Sequence, residues 1–424
     1  MQFLYNIFAY IISAVAIPII LWKTVTSDRN YLSFLGIYGS KLKSKHTDQA
    51  LWVHASSVGE VKAAILLIEK IKKLQPDARM VLTVFTPRGM KVARNELSSD
   101  IELQYLPFDI PLIIRKAFHR FNPGLLILIE TELWPNLMQQ AAVHHVPMMI
   151  INGRLSDRNF ARYLALRCLF YPLIRRMDYI HTQSEMDAER YLKLGARQES
   201  MQAGGNIKTA GILANLQKFD RESVLKELRI PKNVRIIVCG STRQGEEKVI
   251  LEAFKTSRQK QTDLKLLLAP RHTVRVEEVE KLVFQYGFSS IKRSEIDTVR
   301  AWESDVIILD TMGELWKMYG IGICAFVGGS LVPVGGHNPL ESVALGVPTC
   351  FGPHMDNARE LADKCVREEL ATVVHDAGDL ADFINRCSGG KTQSLPVDRF
   401  ASIFASDIDM VTDKIISLWE KSDV

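Results

Sequence analysis

From residue 51 onward the chain alternates short apolar runs with stretches whose apolar residues recur every three or four positions. The short runs, 51–55, 79–85, 101–106, 125–130, 147–152 and 179–183, have the length and composition of strands. Between them, 60–74, 88–97, 110–120, 134–144, 158–177 and 184–194 carry helical spacing; in the first, Val61, Ala64, Ile68 and Ile71 share one face. Apolar strands joined by helical crossovers predict a parallel sheet covered on both faces. The signals thin out over 206–232, which ends in RIPKN, and the alternation restarts at 235–240, 265–270, 306–310, 323–328, 348–352 and 371–374. The expected architecture is α/β, two Rossmann-like doubly wound domains facing a cleft: 24–210, a linker at 211–233, and 234–395. Ligands of such sheets bind outside the carboxyl ends of the strands. Residues 398–420 read as one more amphipathic helix.

A chain of 424 residues exceeds one ordinary core, consistent with two domains. The net charge of +5 is too small to argue for nucleic acid, and no nucleic-acid partner is expected. The six cysteines (168, 239, 324, 350, 365, 387) include no Cys-x-x-Cys pair, which fits a reducing compartment and argues against a zinc site or a disulfide frame. Residues 3–22 carry no charge and are long enough to cross a bilayer. Lys23, Arg29, Lys41, Lys43 and Lys45 follow, and nothing basic precedes. Segment 1–23 is therefore expected to be a membrane anchor with the rest of the chain cytoplasmic. The alternative is an apolar helix lying on or in the protein.

The candidate chemistry sits at strand ends. In AFVGGSLVPVGGHNPLE (325–341), a strand runs into Gly328, Gly329, Gly335 and Gly336, with His337 beside them. Asn338, Pro339 and Glu341 then read as N-cap, first and third positions of a helix. A glycine-rich loop feeding a helix start exposes N–H groups suited to phosphate. Glu341 reads equally as part of a capping box or as a ligand. Ser241 and Arg243, Arg271 and His272, and Met312, Gly313 and Glu314 follow other strands of the same half. An arginine fork suits phosphate.

In the first half, TPRG (86–89), IETELWPN (129–136), INGRLSD (151–157) and TQSEMD (182–187) follow strands, and so does VHASSVGE (53–60). Glu60 opens a helix there. Compensation of the helix dipole, up to about 1 kcal/mol, explains a carboxylate but not the slim SSVG loop before it. A helix start lowers a carboxyl pKa, so Glu60 is expected to be ionised and to suit a general base. Segment 158–176 holds five arginines, Arg158 and Arg162 among them, no acid and many large apolar residues. It reads either as a surface for anionic lipid or an acidic amphiphile, or as a core-facing helix with a basic outer side. No metal site, P-loop or Gly-x-Ser-x-Gly elbow is present in the sequence.

The stretches WVHASSVGE, ETELWPN, NGRLSD, QSEMDAERYLKLGA, GGNIK, LAPRH, DTMGEL and GGSLVPVGGHNPLE through FGPHMDNARE, spread over nearly the whole chain, resemble the 3-deoxy-D-manno-octulosonic acid (Kdo) transferases of lipopolysaccharide synthesis. The resemblance implies a GT-B fold whose last helix, within 396–424, returns to the first domain. It implies CMP-Kdo as donor, a tetraacyl lipid A precursor as acceptor, inner-membrane phospholipids as surroundings and no cofactor. Glu60 matches the family's catalytic base. Arg88 and Glu130 match its companions in the acceptor pocket, with Arg158 and Arg162 as further acceptor-binding candidates. Arg271, Met312, Gly313, Asn338 and Glu341 match CMP contacts, and Ser241, His272, Glu314 and Gly336 join them as donor-site candidates. One phosphate in the leaving group can be stabilised by backbone amides and an arginine without a metal. A GT-B transferase using another nucleotide sugar, or a membrane-anchored binding protein with an idle cleft, are the alternative readings.

Overall fold

The computed structural model describes residues 1–26, 49–216, 219–231, 234–296, 302–389, 399–400, 403–404 and 407–421. The chain forms two compact units: Met1–Gly211 with Ser406–Val424, and Ile212–Ala405.

Unit 1 holds a seven-stranded sheet: β1 (Ala50–Ala55), β2 (Met80–Val84), β3 (Glu102–Tyr105), β4 (Pro123–Ile129), β5 (Met148–Gly153), β6 (Tyr179–Thr182) and β7 (Met201–Ala203). The order is β3-β2-β1-β4-β5-β6-β7, with every pairing parallel. β1, β4 and β5 are buried along their whole length, which is why they read as unbroken apolar runs rather than alternating ones. One face packs on the helix Val58–Leu74, and Trp52 fills the other, its ring edge-on to Phe118 and Phe121. The helix Ile408–Glu420 belongs to this unit. Ile408, Val411 and Ile415 enter the same core cluster as the helix Val58–Leu74, and Gln75 donates to Glu420. Burying an aliphatic side chain of this size contributes about 1.5–3 kcal/mol.

Unit 2 repeats the plan with β8 (Arg235–Thr242), β9 (Leu264–Pro270), β10 (Ser290–Lys292), β11 (Val306–Ile308), β12 (Cys324–Val327), β13 (Thr349–Phe351) and β14 (Ala371–Val373). The order is β10-β11-β9-β8-β12-β13-β14, again all parallel. The strand order reverses between β1 and β4 in one unit and between β8 and β12 in the other, so each sheet opens a crevice at those carboxyl ends.

Three expectations change. β7 and β10 were not expected: each is three residues at a sheet edge, too short for an apolar run. The expected helix 158–177 is two, Asp157–Ala165 and Arg167–Ile174, with Leu166 between them at φ −100° and ψ 23°, out of helical geometry. The N-terminal segment is helical over Gln2–Thr26, but among the described residues no helix is long and apolar enough to cross a membrane. A spanning anchor is not shown. The first turns of this helix are tied to unit 1: the Tyr5 hydroxyl donates to Asp109 Oδ2 at 2.7 Å, and Gln2 to Asn136 at 2.8 Å. Lys41, Lys43 and Lys45, on which its orientation was argued, lie outside the described residues.

Candidate active site

At the carboxyl end of β1, Ser57 caps the helix Val58–Leu74. Its Oγ accepts the Glu60 N–H at 3.3 Å and donates to Glu60 Oε1 at 2.7 Å, while the Ser56 N–H donates to Oε2 at 2.8 Å. This is a variant of the capping box, with the carboxylate on the N–H preceding the cap residue, and it fixes the carboxylate with little freedom. Glu60 is 8% exposed. Its pKa is raised, first by burial and then by Glu132; the hydrogen bonds from Ser57 and Ser56 pull the other way and lose. The expected lowering by the helix start is therefore corrected, because burial beside another acid outweighs the dipole. Glu132, for its part, is held below the ordinary value. Burial would raise it, but His54 (3.3 Å) and the Trp134 indole N–H (2.8 Å) more than offset that. Two neighbouring acids with oppositely shifted pKa values are a recurrent arrangement of acid–base sites.

Glu130, at the end of β4, sits at φ +60°, and Asn152, at the end of β5, at φ +62°. Such backbone costs about 1–3 kcal/mol per residue and persists where the surroundings enforce it. Here Glu130 pairs with Lys208 at 2.5 Å, Asn152 donates to Glu130 at 3.4 Å, and Asn152 accepts the Ile207 N–H at 3.0 Å. Lys208 is a polar centre that the sequence reading did not single out, although its motif, GGNIK, was in view. Its ammonium reaches the start of Glu60's helix, where a Cβ on Gly59 would lie 3.2 Å from it.

The loop carrying Arg88 is strapped to the Glu60 loop. Thr86 Oγ1 donates to the Ser56 carbonyl at 2.6 Å, and a Cβ at Gly89 would meet that same carbonyl at 2.9 Å, so only glycine allows the approach. Arg88 is exposed, as are Arg158 and Arg162. The helix bearing the last two has no buried residue, and the Tyr163 hydroxyl joins it to the Thr131 carbonyl at 3.3 Å. Burial, and then Glu132, pushes the Tyr163 pKa up to about 12.

In unit 2, the Arg243 guanidinium lies 2.8 Å from His272 Nε2 and donates through Nε to His337 Nε2 at 3.4 Å. Burial, and then Arg271, Arg243 and His272, push the His337 pKa down to about 4. Cationic groups from the ends of β8 and β9 thus converge with His337 from the glycine-rich loop, an electrostatic arrangement that favours an anion. Ser241 stands at φ +56° at the same strand end. Met312 is exposed beside Gly313, which is at φ +86°. Glu314 is tied to Arg293 and Thr311.

The glycine-rich loop departs from expectation. The N–H groups of Gly329, Ser330 and Leu331 all bind Glu246, and the Gly336 N–H binds the Gly329 carbonyl. These amides do not form an open phosphate cradle. The helix after the loop starts at Leu340 and has five residues; Pro339, not Asn338, is the capping position, though Asn338 Oδ1 accepts the Leu340 N–H at 3.0 Å. Glu341 is half-buried and its charge raises the pKa of Tyr319, whose first cause is burial. Among the described residues no cluster of metal-ligating side chains is present.

Residues 32–210 match the family model described as 3-deoxy-D-manno-octulosonic-acid transferase (kdotransferase). A 3-deoxy-D-manno-octulosonic acid transferase of Haemophilus influenzae is 35% identical over 347 residues, 81% of this chain and 79% of that one. A transferase of the same description from Chlamydophila psittaci is 31% identical, covering 85% of this chain and 83% of its own. A bifunctional glycosyltransferase/methyltransferase of Fusobacterium nucleatum is 31% identical over 83% of this chain, which spans only 55% of its length. Among solved structures, the UDP-GlcNAc 2-epimerase of Neisseria meningitidis (TM-score 0.60, 12% identity, 88% of this chain and 100% of that one) and a glycosyltransferase of Rickettsia africae (0.58, 12%, 89% and 99%) share the GT-B-like pair of parallel-sheet domains. On the sequence relationship, this chain belongs to the 3-deoxy-D-manno-octulosonic acid transferase family of glycosyltransferases.

Proposed function

We propose that the protein moves Kdo from CMP-Kdo to a hydroxyl of the tetraacyl lipid A precursor, with inversion and without a metal ion, using Glu60 as general base. The observation that carries this reading is the Glu60 carboxylate: fixed by Ser56 and Ser57, buried, and raised in pKa beside an ionised neighbour. A carboxylate of raised pKa is a better proton acceptor than one of ordinary value. Glu60 takes the proton of the acceptor hydroxyl as its oxygen attacks the anomeric carbon. The bond from that carbon to the CMP phosphate oxygen breaks, and the phosphate leaves with the electron pair. Arg243 and Arg271 supply the positive field for that leaving group, with His272 beside Arg243.

By the same reading Ser241, Met312, Gly313, Asn338 and Glu341 border the nucleotide. Arg88, Arg158 and Arg162 offer exposed charge to the acceptor's phosphates, and Lys208 orders Glu130 near the base. The protein works at the cytoplasmic face of the inner membrane, against whose phospholipids the exposed Phe3, Leu4, Ile7, Phe8, Ile11 and Ile12 of the N-terminal helix rest.

The test is incubation with CMP-Kdo and the lipid A precursor in the presence of a chelator, followed by mass spectrometry of the lipid. A Kdo mass increment is expected. Folded protein with no increment overturns the reading, and an increment that requires added metal overturns the metal-free step.

A further inference from the structure

Glu246 is fully buried at the start of the helix Glu246–Arg258. Its Oε2 accepts the N–H groups of Arg243 (2.8 Å) and Gly329 (2.7 Å), and its Oε1 those of Ser330 (2.8 Å) and Leu331 (2.9 Å). A carboxylate holding four amides occupies the part of the loop where the sequence placed a phosphate.

The contacts close a ring. From Glu246 the chain of bonds passes to Gly329, whose carbonyl accepts the Gly336 N–H at 2.7 Å. The next residue, His337, packs against Gly329 closely enough that a Cβ there would stand 3.1 Å from the imidazole. His337 accepts from the Arg243 side chain, and the Arg243 backbone N–H returns to Glu246. The neighbouring Glu247 points elsewhere, to Thr242 at 2.9 Å and to Arg275 at 2.8 and 3.2 Å, and fixes the strand end from which Arg243 departs.

We propose that Glu246 is a positioning residue: an internal anion that fills the amide nest of the glycine-rich loop and so holds Arg243 and His337 where they receive the donor's anionic group. The identity of that donor rests on the function proposed above. The reason for a carboxylate rather than a neutral side chain is geometric. Both oxygens face N–H donors only, so an amide nitrogen in either position would point N–H at N–H. Without the anion, four amides, those of Gly329 and Ser330 buried, lose their acceptor, and the loop has no reason to keep His337 against Arg243.

The experiment measures CMP affinity by calorimetry and steady-state KM with CMP-Kdo and acceptor, for wild type, Glu246→Gln and Glu246→Ala. Glu246→Gln is expected to weaken CMP binding and raise the KM for CMP-Kdo by about tenfold or more, with the KM for acceptor within about twofold. In Glu246→Ala the missing fragment has the shape of acetate. Added acetate is expected to restore most of the lost CMP affinity, and acetamide is not. If Glu246→Ala does not fold, Glu246→Gln combined with Arg243→Ala carries the test: the double variant should lose less CMP affinity than the two single losses combined.

Unchanged CMP affinity in folded Glu246→Gln overturns the proposal. So does additive loss with Arg243→Ala, or, in a folded Glu246→Ala, rescue by acetamide as strong as by acetate. A wild type that binds CMP yet transfers no Kdo defeats the proposed function alone, and Glu246 is then judged on CMP affinity. A wild type that binds neither defeats both.

Discussion

Glu60 and Glu246 occupy matching places in the two units. Each lies in the first turn of the helix that follows a strand at the reversal of its sheet, β1 in one and β8 in the other. Each carboxylate turns back onto backbone N–H groups of its own loop. What differs is the rest of the company. Glu60 has a hydroxyl on one oxygen and another acid nearby, so a proton can be accommodated and burial favours it. Glu246 has four amides and nothing that accepts. The same residue type in the first turn of the corresponding helix is thus suited to moving a proton in one unit and to holding a loop in the other. The neighbouring donors and acceptors decide which.

The contrast is most exposed to failure at Glu60. Glu60→Gln is expected to reduce Kdo transfer by about two orders of magnitude or more while CMP affinity stays within about twofold. Transfer retained within about fivefold would make Glu60 a cap and no more. Next in size is stability. Glu246→Gln leaves two N–H groups without acceptors, one of them buried, and should cost about 3 kcal/mol. For a unit of this size that is roughly 6–12 °C in Tm, read by differential scanning calorimetry. A variant as stable as wild type would show that the loop needs no anion.

A smaller effect should appear in the pH–rate profile. Glu132 is one of the groups that raises Glu60, so Glu132→Gln should move the acid limb of kcat/KM to lower pH. A limb that stays in place would remove Glu132 from the base's surroundings.

The smallest expected change is in the stability of Glu60→Gln itself. Glu60 binds its proton more tightly folded than unfolded. Its stabilising contribution is therefore complete below the unfolded pKa and is lost as pH rises through the folded one. At pH 7 the variant, which keeps an acceptor for the Ser56 N–H and a donor for Ser57, should melt at the same temperature as wild type or slightly above. At pH 4 any advantage should vanish. A clear loss of Tm at pH 7 would mean that the ionised form is the one the fold prefers.

Much of this was legible in the residue pattern, because buried parallel strands are mostly apolar, as β4 is throughout and β1, β5, β8 and β9 are over most of their central residues. The three-residue edges β7 and β10 were not, since an edge strand can be defined by its neighbour rather than by its own side chains. Glu60 stood out from its loop; its pKa direction did not, because that depends on Glu132, seventy-two positions away in sequence and brought near only by the β1–β4 pairing. Lys208 and Glu246 were passed over for a related reason. A lysine early in a helix and a glutamate at a helix start are unremarkable alone, and only the fold supplies Glu130 to the one and the loop after β12 to the other.

The division of the chain has a bearing on its synthesis. Unit 2 is one continuous stretch, whereas unit 1 is completed by the helix Ile408–Glu420. The part of the unit 1 core that receives Val411 and Ile415 is made early in translation and completed only once unit 2 has been built. The nascent chain therefore carries that apolar face incomplete through production of some two hundred residues, the interval in which it is most open to misassembly.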